Sequence, residues 1–379
     1  MLSGFHPSLP ARGLYDIAVL GGGVVGCFSA LRAAELGLRT VLIDERGVFG
    51  GASPRSAGVF TVQLDSPIDV KLVAKSIELV KKYTRRSWRE TGFLQIGKEY
   101  ALRESMESLE KCGIEYKLLD SKEILDRWPE FVVEPELMGV YTKSDLSAEP
   151  KILGCELREA LNEMEVDIVE KVGAVGLDFG SSEVRHVKLS DGSRVSADYY
   201  VLAMGSWTSG LLRSANLETE TFLLTCFAYR LDLGQELNIP SFSDEYLHTY
   251  WRPWGSTLVG GRYDAEFSET PDLSDVQPPS KSLKMSIKLL LRRLKLPSKP
   301  ILVEHMRGPC SFTSDGMPIF GHVPSLNNAF IIDGLGGYGL MRGPALGYLA
   351  VDALIQRHDF DEYRVYSPFR IFKIAKNNK

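Results

Sequence analysis

The run Gly21-Gly-Gly23-Val24-Val25-Gly26 constrains this chain more than any other feature. It follows Tyr15-Asp-Ile-Ala-Val-Leu20, a short apolar segment ending at glycine, which reads as a buried strand. Cys27 to Leu36 is helical in pattern. Strand, glycine turn and helix are the setting that G-x-G-x-x-G needs to mean anything. Gly21 permits the tight turn, Gly23 leaves room for a pyrophosphate against the main chain, and Gly26 lets helix and strand pack closely. The phosphates then rest on the free N–H groups and positive dipole of the helix N-terminus. A second strand, Arg39-Thr-Val-Leu-Ile43, ends at Asp44. An acid there accepts both hydroxyls of an adenosine ribose, and Glu45, followed by Arg46, can share or take that role. The unit predicts a dinucleotide site and leaves NAD and FAD open. The bland alternative is a glycine-rich turn with no ligand.

Glycine is also the compositional outlier, with 35 in 379 residues against roughly 27 expected at an average usage of ~7%. The length predicts two to three domains. With 44 Lys+Arg against 49 Asp+Glu the net charge is −5, so no general basic field exists to attract nucleic acid. Five cysteines, at 27, 112, 155, 226 and 310, form no C-x-x-C pair. That excludes cysteine-ligated zinc and iron–sulfur sites, and no metal site is expected. An odd, scattered set also fails as a disulfide framework and points to a reducing compartment. The longest uncharged run, Ile17 to Leu31, is too short to span a bilayer. With no targeting signal legible, the expected location is cytoplasmic.

Further glycine-rich segments lie in order along the chain. Gly50-Gly51-Ala52-Ser53-Pro-Arg55-Ser56-Ala57-Gly58 resembles the G-A-S-x-x-[SN]-x-G loop of the D-amino-acid oxidase-like flavoproteins. That family includes glycine oxidase, sarcosine oxidase, dimethylglycine dehydrogenase and dye-linked proline dehydrogenases. Thr91-Gly92-Phe-Leu is similar to the family's T-G-[YF]-L. Val169 to Val175 resembles the strand whose backbone meets adenine, with Val172 the corresponding residue. Val201-Leu-Ala203-Met-Gly205-Ser-Trp207 resembles V-[LV]-A-A-G-[AS]-W. Gly308-Pro-Cys310-Ser-Phe-Thr313-Ser-Asp315-Gly316 and Gly334-Leu-Gly336-Gly337-Tyr338-Gly339-Leu340-Met341 resemble two further family motifs.

The resemblance implies FAD, held by Gly21, Gly23, Val24, Val25, Gly26, Asp44, Glu45, Arg46, the 51–58 loop, Val172, Ala203, Gly205, Trp207, Cys310 and residues 336–341. It implies an α/β fold in which a Rossmann-like FAD-binding domain (14–88, 145–220, 305–379) interleaves with an α+β substrate domain on a mixed sheet (89–144, 221–304). Residues 1–13 read as a loose arm. Cys310 falls where sarcosine and pipecolate oxidases bind the flavin covalently; a small buried thiol is the other reading. Met341 replaces a lysine that contributes to carboxylate binding in sarcosine oxidase-like members, and Leu258 falls near the lysine that assists oxygen reduction. Both departures favour a dehydrogenase over an oxidase.

The implied activity is oxidation of the C–N bond of an amino acid or N-alkyl amino acid to an imine. Two other readings stay open: a flavin subunit of a multi-protein electron-transfer complex, and a 2-hydroxy-acid or glycerol-3-phosphate dehydrogenase. A substrate carboxylate calls for an arginine. Arg252, in the aromatic segment Tyr250-Trp-Arg-Pro-Trp254, and Arg307 are the first choices. Tyr250, His248 and Tyr338 are placed to hydrogen-bond the substrate. The electron acceptor is a dye, quinone or protein. Lys281 to Leu296 reads as a basic amphipathic helix that either docks on an anionic membrane or acidic partner, or is an ordinary solvated helix.

Overall fold

A computed structural model describes residues 15–274, 276–296, 298–356 and 361–374. The arm expected at residues 1–13 lies outside them.

The opening strand, Tyr15–Leu20, sits inside a six-stranded sheet. Across that sheet the order is Ile319–His322, Ala329–Asp333, Ala197–Leu202, Tyr15–Leu20, Thr40–Asp44 and Asp167–Glu170. All neighbours are parallel except the Ile319–His322 edge. Covered on both faces, these strands are near-continuous apolar runs, as parallel strands must be. The helices Val24–Glu35 and Gly339–Gln356 pack together on one face, in a core holding Phe28, Leu31, Leu346 and Val351. A three-stranded meander, Ala174–Phe179, Val184–Leu189 and Arg194–Val195, helps cover the other with Val187 and Leu189.

A nine-stranded sheet stands beside it. From one edge it runs Ala265–Ser268, Thr221–Asp232, Thr257–Arg262, Thr249–Trp254, Ser241–Asp244, Phe93–Gly97, Met138–Thr142 and Lys117–Leu119, with Ile301–Thr313 joined to Thr221–Asp232. Ser241–Asp244 pairs parallel with Phe93–Gly97 and the other pairings are antiparallel, so the sheet is mixed. The chain enters the six-stranded sheet, leaves for this one, returns, leaves again and returns. The fold is thus the expected α/β Rossmann-like arrangement with a second, mixed sheet. One segment differs from expectation. Residues 305–313 pair along their length with Thr221–Asp232 and belong to the nine-stranded sheet.

The basic helix forms at Ser280–Arg293. Lys281, Lys284 and Lys288 are exposed, while Leu283, Ile287, Leu290 and Leu294 join the core under the nine-stranded sheet with Trp251 and Tyr229. Arg293 is fully buried, bonded to Asp244, Glu134 and the Val132 carbonyl. Burial in the core takes up most of the apolar face that a membrane-docking helix would insert, leaving Leu291 outside. Among the described residues no helix is long and apolar enough to cross a membrane.

Candidate active site

A cavity of about 1060 Å³ opens between the two sheets. That is at the upper end of the usual range for small-ligand pockets. The C-terminal ends of the parallel strands Tyr15–Leu20, Thr40–Asp44, Ala197–Leu202 and Ala329–Asp333 supply one side, which is where ligands bind in open α/β sheets.

Most of the glycine signal converges here. Gly21, Gly23, Val24 and Val25 line the cavity, with Asp44, Glu45, Arg46, Gly51, Ala52, Ser53, Ser56, Ala57 and Gly58. Ala203, Gly205, Trp207, Cys310, Gly336, Gly337, Tyr338, Gly339, Leu340 and Met341 complete that group. Gly26 does not face the cavity. A Cβ there would stand 1.8 Å from the Gly21 carbonyl oxygen, so its task is helix–strand contact. Gly23 differs: the nearest atom to a Cβ there would be Ser53 Oγ, at 3.2 Å.

Asp44 is engaged in holding the turn. Its Oδ2 accepts from Gly22 N at 2.7 Å and its Oδ1 from Arg46 N at 2.7 Å. Burial raises its pKa despite these bonds. Glu45 is more open, paired with Arg46 at 3.1 Å, and is the acid freer to meet a ribose. Arg46 also lies over the Trp207 ring, 4.6 Å from its centroid, closing one end of the cavity. Val172 has its side chain buried in the core, and the neighbouring Gly173, Ala174 and Val175 line the cavity.

Two further features test the fit of a dinucleotide. Asp333, at the end of its strand, is 2% exposed and lines the cavity. Its Oδ1 accepts from Gly334 N, while Oδ2 is buried without a hydrogen-bond partner. Burial pushes its carboxyl up to about 7. Such an orphaned acceptor suits a hydroxyl-rich ligand. The turn Gly336-Gly337, both at positive φ, delivers the helix beginning at Gly339 with its N-terminus toward the cavity. A flavin ring gaining negative charge on reduction is favoured there. The residues present fit FAD.

The nine-stranded sheet and the turns at its strand ends contribute Gln95, Glu245, His248, Tyr250, Arg262 and Tyr263 to the cavity. The rings of Tyr250 and Tyr263 stack at 5.2 Å. Glu245 accepts from Ser243 Oγ at 3.1 Å and Gln95 Nε2 at 3.3 Å. Arg262 reaches Asp264 at 3.6 Å. His248, at φ 53°, is exposed, and burial raises the Tyr250 and Tyr338 hydroxyls.

The two arginines favoured from sequence are placed elsewhere. Arg252 shares its strand face with Tyr250 but lies beneath the 51–58 loop, fully buried. Nε donates to the Ala57 carbonyl and Nη2 faces Glu149 at 3.4 Å. Burial lowers it to about 10. Arg307 is one residue from Gly308, and Gly308, Cys310 and Phe312 face the cavity. Strand alternation therefore turns Arg307 outward, to Asp272 at 2.8 Å and Ser274 at 3.1 Å. Leu258 points into the far core with Trp251 and Leu290, so its apolar character says nothing about oxygen. Arg342, next to Met341, points away from the site to Asp69 at 2.7 Å.

Comparisons with known proteins agree with this geometry. Human mitochondrial sarcosine dehydrogenase is 24% identical over 365 residues, covering 90% of this chain and 40% of that protein. Glycine oxidase of Bacillus licheniformis is 23% identical over 371 residues, covering 91% of this chain and 94% of that one. The chain thus spans about two-fifths of the sarcosine dehydrogenase it matches. The solved structure of L-proline dehydrogenase from P. horikoshii superposes with a TM-score of 0.86 at 20% identity, covering 96% of this chain and 98% of that one. A family model described as DAO, FAD dependent oxidoreductase, matches residues 16–353. That match takes in most of the chain, including the glycine turn and the helix at the cavity, and the chain belongs to the DAO family of FAD-dependent oxidoreductases.

Proposed function

We propose that this protein oxidises the C–N bond of an amino acid or N-alkyl amino acid to an imine. Electrons then pass to a dye, quinone or protein acceptor rather than to oxygen. One observation carries the reading: an arginine and a carboxylate, Arg262 and Glu245, line the same cavity as the dinucleotide turn. A zwitterion offers the matching charges, its carboxylate to Arg262 and its amine to Glu245. When bound, FAD supplies the acceptor for the hydride equivalent. The protein's residues hold the substrate still. Gln95, nine-tenths buried, fixes Glu245, while the stacked Tyr250 and Tyr263 wall the space and limit water. Met341, an apolar residue at the helix N-terminus, supports the dehydrogenase side of the reading. Relatives named for sarcosine and glycine support the substrate class. The five free cysteines support a reducing, cytoplasmic setting.

The test is an anaerobic spectral titration of the bound flavin with glycine, sarcosine, L-proline and D-amino acids. At least one should bleach the flavin, and the reduced enzyme should then reduce an added dye faster than it forms peroxide. If none bleaches it, or if Arg262→Ala bleaches as readily as the native protein, the reading fails.

A further inference from the structure

Two cysteines 84 positions apart meet in the cavity wall. Strands Thr221–Asp232 and Ile301–Thr313 pair antiparallel, with Leu224 opposite Cys310 and Cys226 opposite Gly308. Cys226 and Cys310 are therefore one diagonal step apart. Alternation puts both on the same face, and that face lines the cavity through Leu224, Cys226, Gly308, Cys310 and Phe312. Strand twist draws one diagonal of such a pair together. The two thiols lie close enough to shift each other's acidity, the Cys310 Sγ–H also reaches the Gly308 carbonyl at 3.9 Å, and both residues are partly open to the cavity.

The contact divides their roles. The Cys226 thiol is lowered by its neighbour, whereas the Cys310 thiol is raised by Cys226 and by burial. Of the two, Cys226 is the readier nucleophile.

We infer that Cys226 and Cys310 form a dithiol site that a two-electron oxidant of the peroxide class closes to a disulfide in the wall of the cofactor cavity. The Cys226 thiolate attacks one peroxide oxygen. The O–O bond breaks, and a sulfenic acid and one water result. Cys310 sulfur then attacks the Cys226 sulfur, the S–O bond breaks, and its oxygen leaves as a second water with the Cys310 proton. Two thiols and one hydrogen peroxide become one disulfide and two waters. The bond ties the two longest strands together at the cavity and withdraws Cys310 from any bond to the flavin. Cellular thiols reopen it by exchange. The inference is independent of the substrate.

Treating the holoenzyme with one equivalent of hydrogen peroxide, alkylating and digesting it tests the site by mass spectrometry. The expected product is a peptide pair joining residues 226 and 310, lighter by two hydrogens and separated again by a thiol reductant. Cys226→Ser should abolish that product and leave Cys310 open to alkylation. Recovery of both cysteines alkylated after peroxide overturns the site, and so does their separate oxidation to sulfinic acids without a cross-link.

Discussion

Nε of Arg252, on the nine-stranded sheet, donates to the main-chain carbonyl of Ala57, in the loop that borders the cofactor cavity. Glu149 holds the same guanidinium from the other side and is itself bonded twice by Arg230, at 2.9 and 3.0 Å. Arg252 therefore fastens the loop to the second sheet. Arg252→Ala removes a buried cation from a paired site, which costs on the order of 3 kcal/mol. Flavin retention on ultrafiltration should fall with it. Arg252→Lys keeps the charge but presents no Nε to Ala57, so it should recover stability better than retention. Unchanged denaturation and retention in both variants would remove Arg252 from this role.

Arg262 and Glu245 should behave as substrate groups and not as cofactor groups. Hydrogen bonds to charged groups contribute about 1.5–3 kcal/mol. Arg262→Ala is thus expected to raise KM roughly 10- to 100-fold in a dye-reduction assay, by the same energy. The visible spectrum and FAD content should stay as in the native protein. Arg307→Ala, outside the cavity, is the control and should leave KM alone.

Two glycines of the same motif should fail in different ways. Gly26→Ala forces a methyl against the Gly21 carbonyl at 1.8 Å, and relief requires main chain, not a flexible side chain, to shift. It should lower the melting temperature and reduce soluble yield. Gly23→Ala meets only the Ser53 hydroxyl at 3.2 Å, so the fold should survive. The methyl instead occupies space beside the phosphates, and the measured loss should be in FAD affinity. A Gly23→Ala protein that binds FAD as tightly as the native chain would contradict this division.

The cofactor half was legible because its signals are local. A strand, three glycines and an acid lie within thirty residues of one another, and their meaning depends only on near neighbours. The substrate half was less so. Alternation from Leu258 assigns Arg262 to the far core face, yet this last residue of the strand lines the cavity. Arg307 could have been set aside from sequence, since alternation from Cys310 puts it on the opposite face. Arg252 could not: its strand face is the right one, and only the packing of a loop two hundred residues away covers it. The Cys226–Cys310 contact is likewise a matter of register between distant strands.

Asp333 gives the fold a pH dependence with a definite sign. An exposed aspartate titrates near ~3.9, whereas burial raises this one to about 7. Between those values the native state holds a proton that the unfolded chain has released. Stability must then fall as pH rises through that interval and level off above it, on the order of 1 kcal/mol per pH unit. Asp145, also fully buried and raised to about 6, adds to the slope over the lower part of the range. Asp333→Asn removes the titrating group while keeping its size and its acceptor for Gly334 N. Denaturation of the flavin-free protein at pH 5, 6, 7 and 8 checks the claim. The native protein should lose stability toward pH 7, the variant should lose less, and at pH 8 the variant should be the more stable of the two. Parallel curves would mean that the proton is held elsewhere.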